Sequence, residues 1–200
     1  MPRKLSFNAL ILAGGQSSRM GQDKALLLVK GIPFIQQIYH VAAQCCESVY
    51  LISPWPERYY SILGNNSKIH FLAESTKGEG SLVAFLQGLK QIEKQTDWLL
   101  LLACDLPLLN PEILLNWCKN LQDISPDILA YVPQSNNFWE PLCGFYRPEI
   151  LPDLEDFINC GGRSFQTFLE TVSTCAIALG DREQKMLLNC NTPDDLKRIN

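Results

Sequence analysis

Short aliphatic runs alternate with amphipathic stretches along the first 125 residues. Residues 98–103 are almost wholly aliphatic, which is typical of a strand covered on both faces. The other runs that predict strands are residues 7–13, 48–53 and 69–72. Apolar residues at helical spacing predict helices over residues 33–46, 80–94 and 111–121. This alternation predicts an α/β fold, with a mostly parallel twisted sheet and helices on both faces.

The pattern loosens after about residue 125. Residues 127–132 and 142–146 are predicted to be strands, and they flank a polar, turn-rich stretch at 134–137. Further along, the pattern predicts a helix over 164–171, an extended segment over 175–179 and a final helix over 193–199. No repeat, linker or low-complexity segment interrupts the chain, so we expect a single domain over residues 1–200.

Charge and cysteine usage exclude several classes of function. The formal net charge is −4, and no basic stripe or cationic amphipathic helix favours nucleic acid or a membrane as a partner. The eight cysteines form no C-x-x-C pair and there are only two histidines, so zinc-site spacing is absent. The apolar run after Arg3 and Lys4 ends at Gly14-Gly15, too early for a secretion signal. We therefore expect a cytoplasmic protein with reduced thiols.

The strongest chemical signal is the stretch LILAGGQSSRMGQDKALL, residues 10–27. A buried strand runs directly into Gly14 and Gly15, and glycines allow backbone N–H groups to approach a phosphate closely. Arg19 offers a planar fork for phosphate oxygens, and Lys24 offers a compact positive charge. The alternative is a glycine turn with two solvated cations. The pattern favours phosphate binding, but it matches neither the Walker nor the dinucleotide motif.

A carboxylate follows the predicted strand in LLLLACDLPLL, residues 99–109. Asp105 would lie at the carboxyl end of that strand, where α/β sheets bind ligands, and its oxygens suit magnesium. The alternative is that Asp105 caps the next helix. Asn110, directly before Pro111, is the better cap, which leaves Asp105 available for other chemistry. Cys104 is expected to be a packing residue rather than a nucleophile.

The third motif is NCNTPDDL, residues 189–196. Taken alone, it favours a helix start at Thr192 and Pro193. Asn191 precedes that start and could offer a side-chain oxygen to a metal.

Taken together, L-A-G-G-x-S-x-R-M-G-x-D-K, C-D-x-P and N-x-N-T-P-D-D-L resemble the molybdenum cofactor guanylyltransferases, which belong to the Rossmann-like NTP transferases. The match runs from Leu10 to Leu196 in order. The first motif is shared with cytidylyl- and sugar-phosphate nucleotidyltransferases. The last discriminates further, because the molybdopterin cytidylyltransferases tend to carry aspartate where this chain has Asn191.

The resemblance implies a set of site residues. It implies that GTP contacts Leu12, Ala13, Gly14, Lys24 and Asp105, within a nucleotide-binding set that also includes Gly15 and Glu74. Asp105 and Asn191 would hold Mg²⁺, and the predicted catalytic residues are Lys24, Arg19 and Asp105. Residues 5–125 would form the nucleotide-binding half, and residues 126–200 the cofactor-binding half.

Two segments depart from the family pattern. The family's G-P-L-A-G-L is Gly80-Ser81-Leu82-Val83-Ala84-Phe85 here, and an arginine-rich H-P segment is replaced by Trp139-Glu140-Pro141. Both segments lie where base or pterin selection could be set.

The implied reaction transfers GMP from GTP to the terminal phosphate of molybdenum-molybdopterin, with release of pyrophosphate. The substrates imply transient contact with molybdenum cofactor biosynthesis or acceptor proteins. One alternative is transfer of another nucleotide, by a CTP:molybdopterin or sugar-phosphate enzyme. The other is a nucleotide-binding module without turnover, against which the presence of Lys24, Asp105 and Asn191 argues.

Overall fold

A mixed sheet with helices on both faces forms the described part of the chain, which comprises residues 5–14, 23–64, 66–92, 95–190 and 195 of a computed structural model. The strands are β1 (Phe7–Leu12), β2 (Leu28–Val29), β3 (Ile32–Pro33), β4 (Ser48–Ser53), β5 (Ile69–Ala73), β6 (Trp98–Ala103), β7 (Ala130–Ser135), β8 (Phe138–Trp139), β9 (Cys143–Tyr146) and β10 (Thr174–Ile177). The α-helices are α1 (Phe34–Cys45), α2 (Tyr60–Leu63), α3 (Ser81–Gln91), α4 (Pro111–Asn120), α5 (Leu151–Asn159), α6 (Phe165–Leu169) and α7 (Asp181–Met186).

The strand order of the main sheet is β10-β7-β9-β6-β1-β4-β5, and β8 pairs with β7 outside this path. Strands β4 and β6 flank β1 in parallel, and β5 extends the sheet parallel to β4. Strand β9 runs antiparallel between β6 and β7. The predicted α/β fold with a mostly parallel sheet is confirmed, and the later part of the chain continues the same sheet.

The central strands are aliphatic because helices cover both faces. All six residues of β6 are buried. Leu99 and Leu101 join the core cluster that contains the apolar face of α3, whereas Leu100 and Leu102 join the cluster that contains α1 and α4. Burying one such side chain stabilises the fold by about 1.5–3 kcal/mol. The rigid centre of the sheet therefore fixes the positions of the strand ends.

A close contact holds α3 against β1. A Cβ atom built on Gly88 would lie 2.5 Å from Cδ2 of Leu10, so a larger residue would push the helix away. Gly88 thus allows α3 to pack closely against β1, and the N-terminal end of the same helix reaches the cavity described below.

The largest errors of the sequence prediction lie in the second half of the chain. The strand predicted over 127–132 is β7, Ala130–Ser135, because the polar Gln134 and Ser135 pair with β8 in a hairpin. The turn is narrower than predicted: Asn136 and Asn137 have φ of 48° and 66°, the positive values that tight hairpin turns require. Helices α5 and α7 were not predicted.

Other predictions have mixed outcomes. The final helix predicted over 193–199 lies outside the described residues except at position 195. All eight cysteines are free thiols in the structure. In the ranges given above, no helix has the length and apolar character needed to cross a membrane.

Candidate active site

A cavity of about 530 Å³ opens at the carboxyl ends of β1, β4, β5 and β6. The sheet order makes β1 the point at which the chain switches from one side of the sheet to the other. Adjacent connections leave in opposite directions there, which creates the crevice where open α/β sheets bind ligands. The fold thus places a polar-lined cleft where the sequence motifs end.

Six of the predicted site residues line this cavity: Leu12, Ala13, Gly14, Lys24, Glu74 and Asp105. They come from three separate stretches of sequence that the parallel strands bring to one edge. Gly15, Arg19 and Asn191 lie outside the described residues. Their roles stay predictions from the sequence.

Lys24 and Asp105 form the polar centre of the cavity. Lys24 begins a short 3₁₀ turn whose N-terminus Asp23 caps by accepting a hydrogen bond from the backbone N–H of Ala25 at 3.1 Å. The Lys24 Nζ lies 3.7 Å from Oδ2 of Asp105. Burial raises the pKa of the Asp105 carboxyl, and the Lys24 ammonium opposes that rise. Among the described residues, the site therefore holds a desolvated carboxylate beside the compact cation of Lys24.

The Asp105 carboxylate is the kind of oxygen ligand that a magnesium ion shared with a substrate takes. In the residues that the structure describes, no three His, Cys, Asp or Glu side chains cluster as a metal cage. Magnesium needs no such cage, because it keeps several waters and binds one or two carboxylates together with substrate phosphates. The backbone N–H of Cys190 donates to the Asp105 carbonyl at 3.0 Å, so the C-terminal segment also reaches this site.

Glu74 follows β5 directly and lines the same cavity, on the other side of β1 from β6 and Asp105. Its backbone N–H donates to the carbonyl of Ser53 at 2.9 Å, and only 9% of the residue is exposed. Burial raises the pKa of the Glu74 carboxyl. A Cβ atom on Gly14 would lie 2.6 Å from Oε2 of Glu74, so glycine at position 14 makes room for the carboxylate. The carboxylate is thus held against the start of the glycine-rich motif.

The first turn of α3 supplies part of the lining through Gly80, Ser81 and Ala84. Gly80 has a φ of 94°, which only glycine adopts without strain. This is the segment that departs from the family pattern, and the structure places it in the cavity wall.

Two expectations about neighbouring residues are confirmed. The Asn110 side chain caps α4 by accepting hydrogen bonds from the N–H groups of Glu112 and Ile113, so Asp105 is not the cap. Burial raises the pKa of the Cys104 thiol to about 12, so the thiol is not a ready nucleophile.

Sequence reasoning missed Asp23 and Tyr59. The Tyr59 hydroxyl donates to Oδ2 of Asp23 at 2.9 Å, and it also lies 3.4 Å from the carbonyl oxygen of Ala13. These partners stand at the two ends of the glycine-rich stretch, so one hydroxyl joins both ends. Asp23 was detectable, because an aspartate directly before a short helical turn is a common cap. Nothing in the sequence near Tyr59 signals its contact.

Replacing Tyr59 with phenylalanine should lower the free energy of unfolding by about 1.5–3 kcal/mol, the contribution of a hydrogen bond to a charged group such as the Asp23 carboxylate. In a domain of this size that loss corresponds to a fall in Tm of about 2–4 °C per kcal/mol. The measurement is thermal unfolding beside Tyr60→Phe, since Tyr60 is 50% exposed and should change little. Equal shifts in the two variants would contradict the role of the Tyr59 hydroxyl.

A smaller cavity of about 260 Å³ adjoins the first. Asp105 and Leu142 line both cavities, so they form a shared wall. Apart from Asp105 and Leu106, the residues of the smaller cavity come from the second half of the chain: Trp139, Glu140, Pro141, Leu142, Cys143, Gln166, Leu187 and Asn189.

Relatives found by sequence comparison match nearly the whole chain. A protein from Nostoc sp., named "Probable molybdenum cofactor guanylyltransferase", is 47% identical over 194 residues, which cover 97% of this chain and 90% of the relative. One of the same name from Synechococcus elongatus is 44% identical over 197 residues, covering 98% of each.

Solved structures share the fold. Molybdopterin-guanine dinucleotide biosynthesis protein A from Archaeoglobus fulgidus superposes with a TM-score of 0.77 at 23% identity, covering 96% of both chains. A 4-diphosphocytidyl-2C-methyl-D-erythritol synthase from Anaerococcus prevotii gives 0.74 at 13% identity, covering 98% of this chain and 95% of its own. The family model of the MobA-like NTP transferase domain matches residues 9–175. Fold, cavity and sequence relatives agree, and the chain belongs to the MobA-like NTP transferase family.

Proposed function

We propose that this protein transfers GMP from GTP to the terminal phosphate of molybdenum-molybdopterin, which yields molybdopterin guanine dinucleotide and pyrophosphate. The observation that carries the proposal is the meeting of Lys24 and Asp105, from two separate motifs, where two cavities adjoin. A transferase for two large anions needs two neighbouring binding sites with positive charge at their junction. The names of the relatives at 44–47% identity support the same reaction.

The two halves of the chain divide the work in this proposal. The larger cavity is lined by residues up to Asp105, with Leu142 as the exception, and it would bind GTP. The smaller cavity is lined mainly by the second half and would bind the pterin. This division supports the prediction that residues 5–125 form the nucleotide-binding half and residues 126–200 the cofactor-binding half.

Asp105 would hold the magnesium ion, with Asn191 as a second oxygen ligand. Cys190, the neighbour of Asn191 in sequence, is hydrogen-bonded to the Asp105 backbone, and that contact supports the pairing. When bound there, magnesium would neutralise charge on the α-phosphoryl group and on the leaving pyrophosphate.

In the reaction, a phosphate oxygen of molybdopterin forms a bond to the α-phosphorus of GTP. The bond from that phosphorus to the bridging oxygen breaks, and pyrophosphate leaves with the electron pair. The attacking phosphate monoester is largely ionised at neutral pH, since its second pKa is about 6. No general base is therefore required. Lys24 reduces the repulsion between the two anions and, with Arg19, stabilises the charge that develops on the transferred phosphates.

The decisive experiment supplies the purified protein with magnesium, molybdopterin and each of the four NTPs in turn. GTP should be used at least about tenfold better than ATP or CTP, an advantage of about 1.4 kcal/mol. Among the four bases, guanine alone offers adjacent N1–H and N2–H₂ donors. The desolvated Glu74 carboxylate can accept a hydrogen bond from each of them. Preference for CTP would replace the proposal with cytidylyl transfer, and failure of all four NTPs would favour a binding module.

We also place the reaction in the cytoplasm, where free thiols are the rule, and eight of them are present. A product of this kind must then pass to other proteins, so transient contacts with cofactor-biosynthesis or acceptor proteins belong to the same proposal.

A further inference from the structure

Hydrogen bonds fix part of the backbone that lines the smaller cavity. Strand β8 ends at Trp139, and Gln166 of α6 holds the backbone of this residue from both directions. The Trp139 N–H donates to Oε1 of Gln166 at 2.9 Å, and Nε2 of Gln166 donates to the Trp139 carbonyl at 2.7 Å. The backbone at Trp139 is thereby fixed, and the residue lines the cavity.

Glu140 follows in the same wall and has an unusual environment. Its backbone is fixed at both polar groups: its N–H donates to the Pro133 carbonyl at 2.8 Å, and its carbonyl accepts from the N–H of Cys143 at 3.3 Å. Its side chain is partly buried, and burial raises the pKa of the carboxyl. Among the described residues, no lysine, arginine or histidine forms an ion pair with it. A desolvated carboxylate without a cationic partner gains most from a ligand that brings N–H donors.

An aromatic face beside such a carboxylate is suited to a planar heterocycle with two neighbouring donors. A pterin carries a 2-amino-4-oxopyrimidine ring, whose ring N–H and exocyclic amino group point in the same direction. A carboxylate can accept a hydrogen bond from each of these two groups, as it does from two N–H groups of an arginine guanidinium. The volume of about 260 Å³ lies just below the range of about 300–1,000 Å³ for drug-sized ligands, so one fused ring suits it better than a nucleotide.

We propose that Glu140 determines specificity for the pterin ring by accepting hydrogen bonds from its N–H and amino groups, while Trp139 packs against the face of the ring. The assignment rests on the proposed guanylyl transfer, because it supplies the second substrate. It gives each substrate its own carboxylate, Glu74 in the larger cavity and Glu140 in the smaller, on either side of Asp105.

The test is Glu140→Gln, in which the amide presents its own N–H₂ group to the donors of the pterin. KM for molybdopterin should rise at least about tenfold, which is the loss of one charged hydrogen bond. KM for GTP and kcat at saturating molybdopterin should stay within about twofold, because Glu140 does not line the GTP cavity. The matched control is Glu149→Gln, an exposed carboxylate outside both cavities, which should change none of these constants.

Binding without turnover provides a second readout. Equilibrium dialysis of 6-hydroxymethylpterin should show weaker binding to Glu140→Gln and to Trp139→Leu than to the wild type and Glu149→Gln. Melting curves establish that each variant is folded, and Trp139→Leu decides the matter if Glu140→Gln does not fold.

The possible failures are distinguishable. If the wild type transfers GMP to molybdopterin and Glu140→Gln does so with an unchanged KM, the assignment of Glu140 is overturned while the proposed function stands. If the wild type does not transfer GMP, the proposed function fails. In that case dialysis still decides whether this cavity binds a pterin through Glu140, and unaltered pterin binding in the variant overturns the inference.

Discussion

Asparagine in place of Asp105 should lower turnover by at least about 10²–10³-fold, the usual cost of removing one electrostatic group from a transition state. The carboxylate lies on the wall that both cavities share, and its Oδ2 is 3.7 Å from Lys24. An amide of the same shape keeps the packing but loses the negative charge that would hold magnesium. The measurement is kcat at several magnesium concentrations for Asp105→Asn, with the exposed Asp156→Asn as the matched control.

The stability of this variant should remain close to that of the wild type. Burial raises the pKa of Asp105, which means that the charged form is disfavoured in the fold. Removing that charge relieves a desolvation cost at neutral pH, and this gain offsets the loss of the partly buried ion pair with Lys24. The Tm should therefore be unchanged or slightly higher. Near-normal activity at ordinary magnesium concentration would contradict the role of Asp105 as the metal ligand.

Removal of the Lys24 side chain should have a comparable effect on kcat. Lys24→Ala deletes the cation beside Asp105, and we expect a loss of about 10²–10³ in kcat. Lys24→Arg should not restore activity, because a bulky planar guanidinium cannot replace a compact charge in a side chain that is only 21% exposed. The exposed Lys185→Ala is the control and should be neutral.

Steady-state kinetics with GTP varied at saturating molybdopterin will separate Lys24 from Arg19. Arg19 is predicted to grip the β- and γ-phosphates, so Arg19→Ala should raise KM for GTP and also lower kcat. If Lys24→Ala altered only KM and Arg19→Ala altered only kcat, the two roles would have to be exchanged.

The first half of the fold could be predicted closely because its strands are buried on both faces. Residues 48–53 and 98–103 coincide with β4 and β6, since a strand without a solvent face is mostly apolar. The same pattern fails in β7, whose last residues are partly exposed and polar where the β8 hairpin pairs with them. In the sequence, only the pair Asn136 and Asn137 could have indicated that hairpin, because asparagine adopts the positive φ values of a tight turn more readily than most residues.

The site shows a similar limit. Glycine, lysine and aspartate residues that follow buried strands can be recognised as site residues from the sequence, because the carboxyl ends of parallel strands meet at one edge. Tyr59 cannot be recognised in this way, because its hydroxyl contacts residues 46 and 36 positions away in the chain. Glu140 could be singled out only as a departure from a family pattern, and its lack of an ion pair with any described residue is a property of the folded chain.

The wall that Asp105 and Leu142 share between the cavities also has a thermodynamic consequence. Two ligands that meet at one carboxylate cannot bind independently, so each must change the dissociation constant of the other. That coupling is reciprocal: the factor by which a non-transferring GTP analogue alters the affinity for molybdopterin equals the factor by which molybdopterin alters the affinity for the analogue. Both ligands are anions, so the coupling is antagonistic without a divalent cation and moves towards cooperativity as the cation is added. The concentration of that cation then decides how often both partners occupy the protein together.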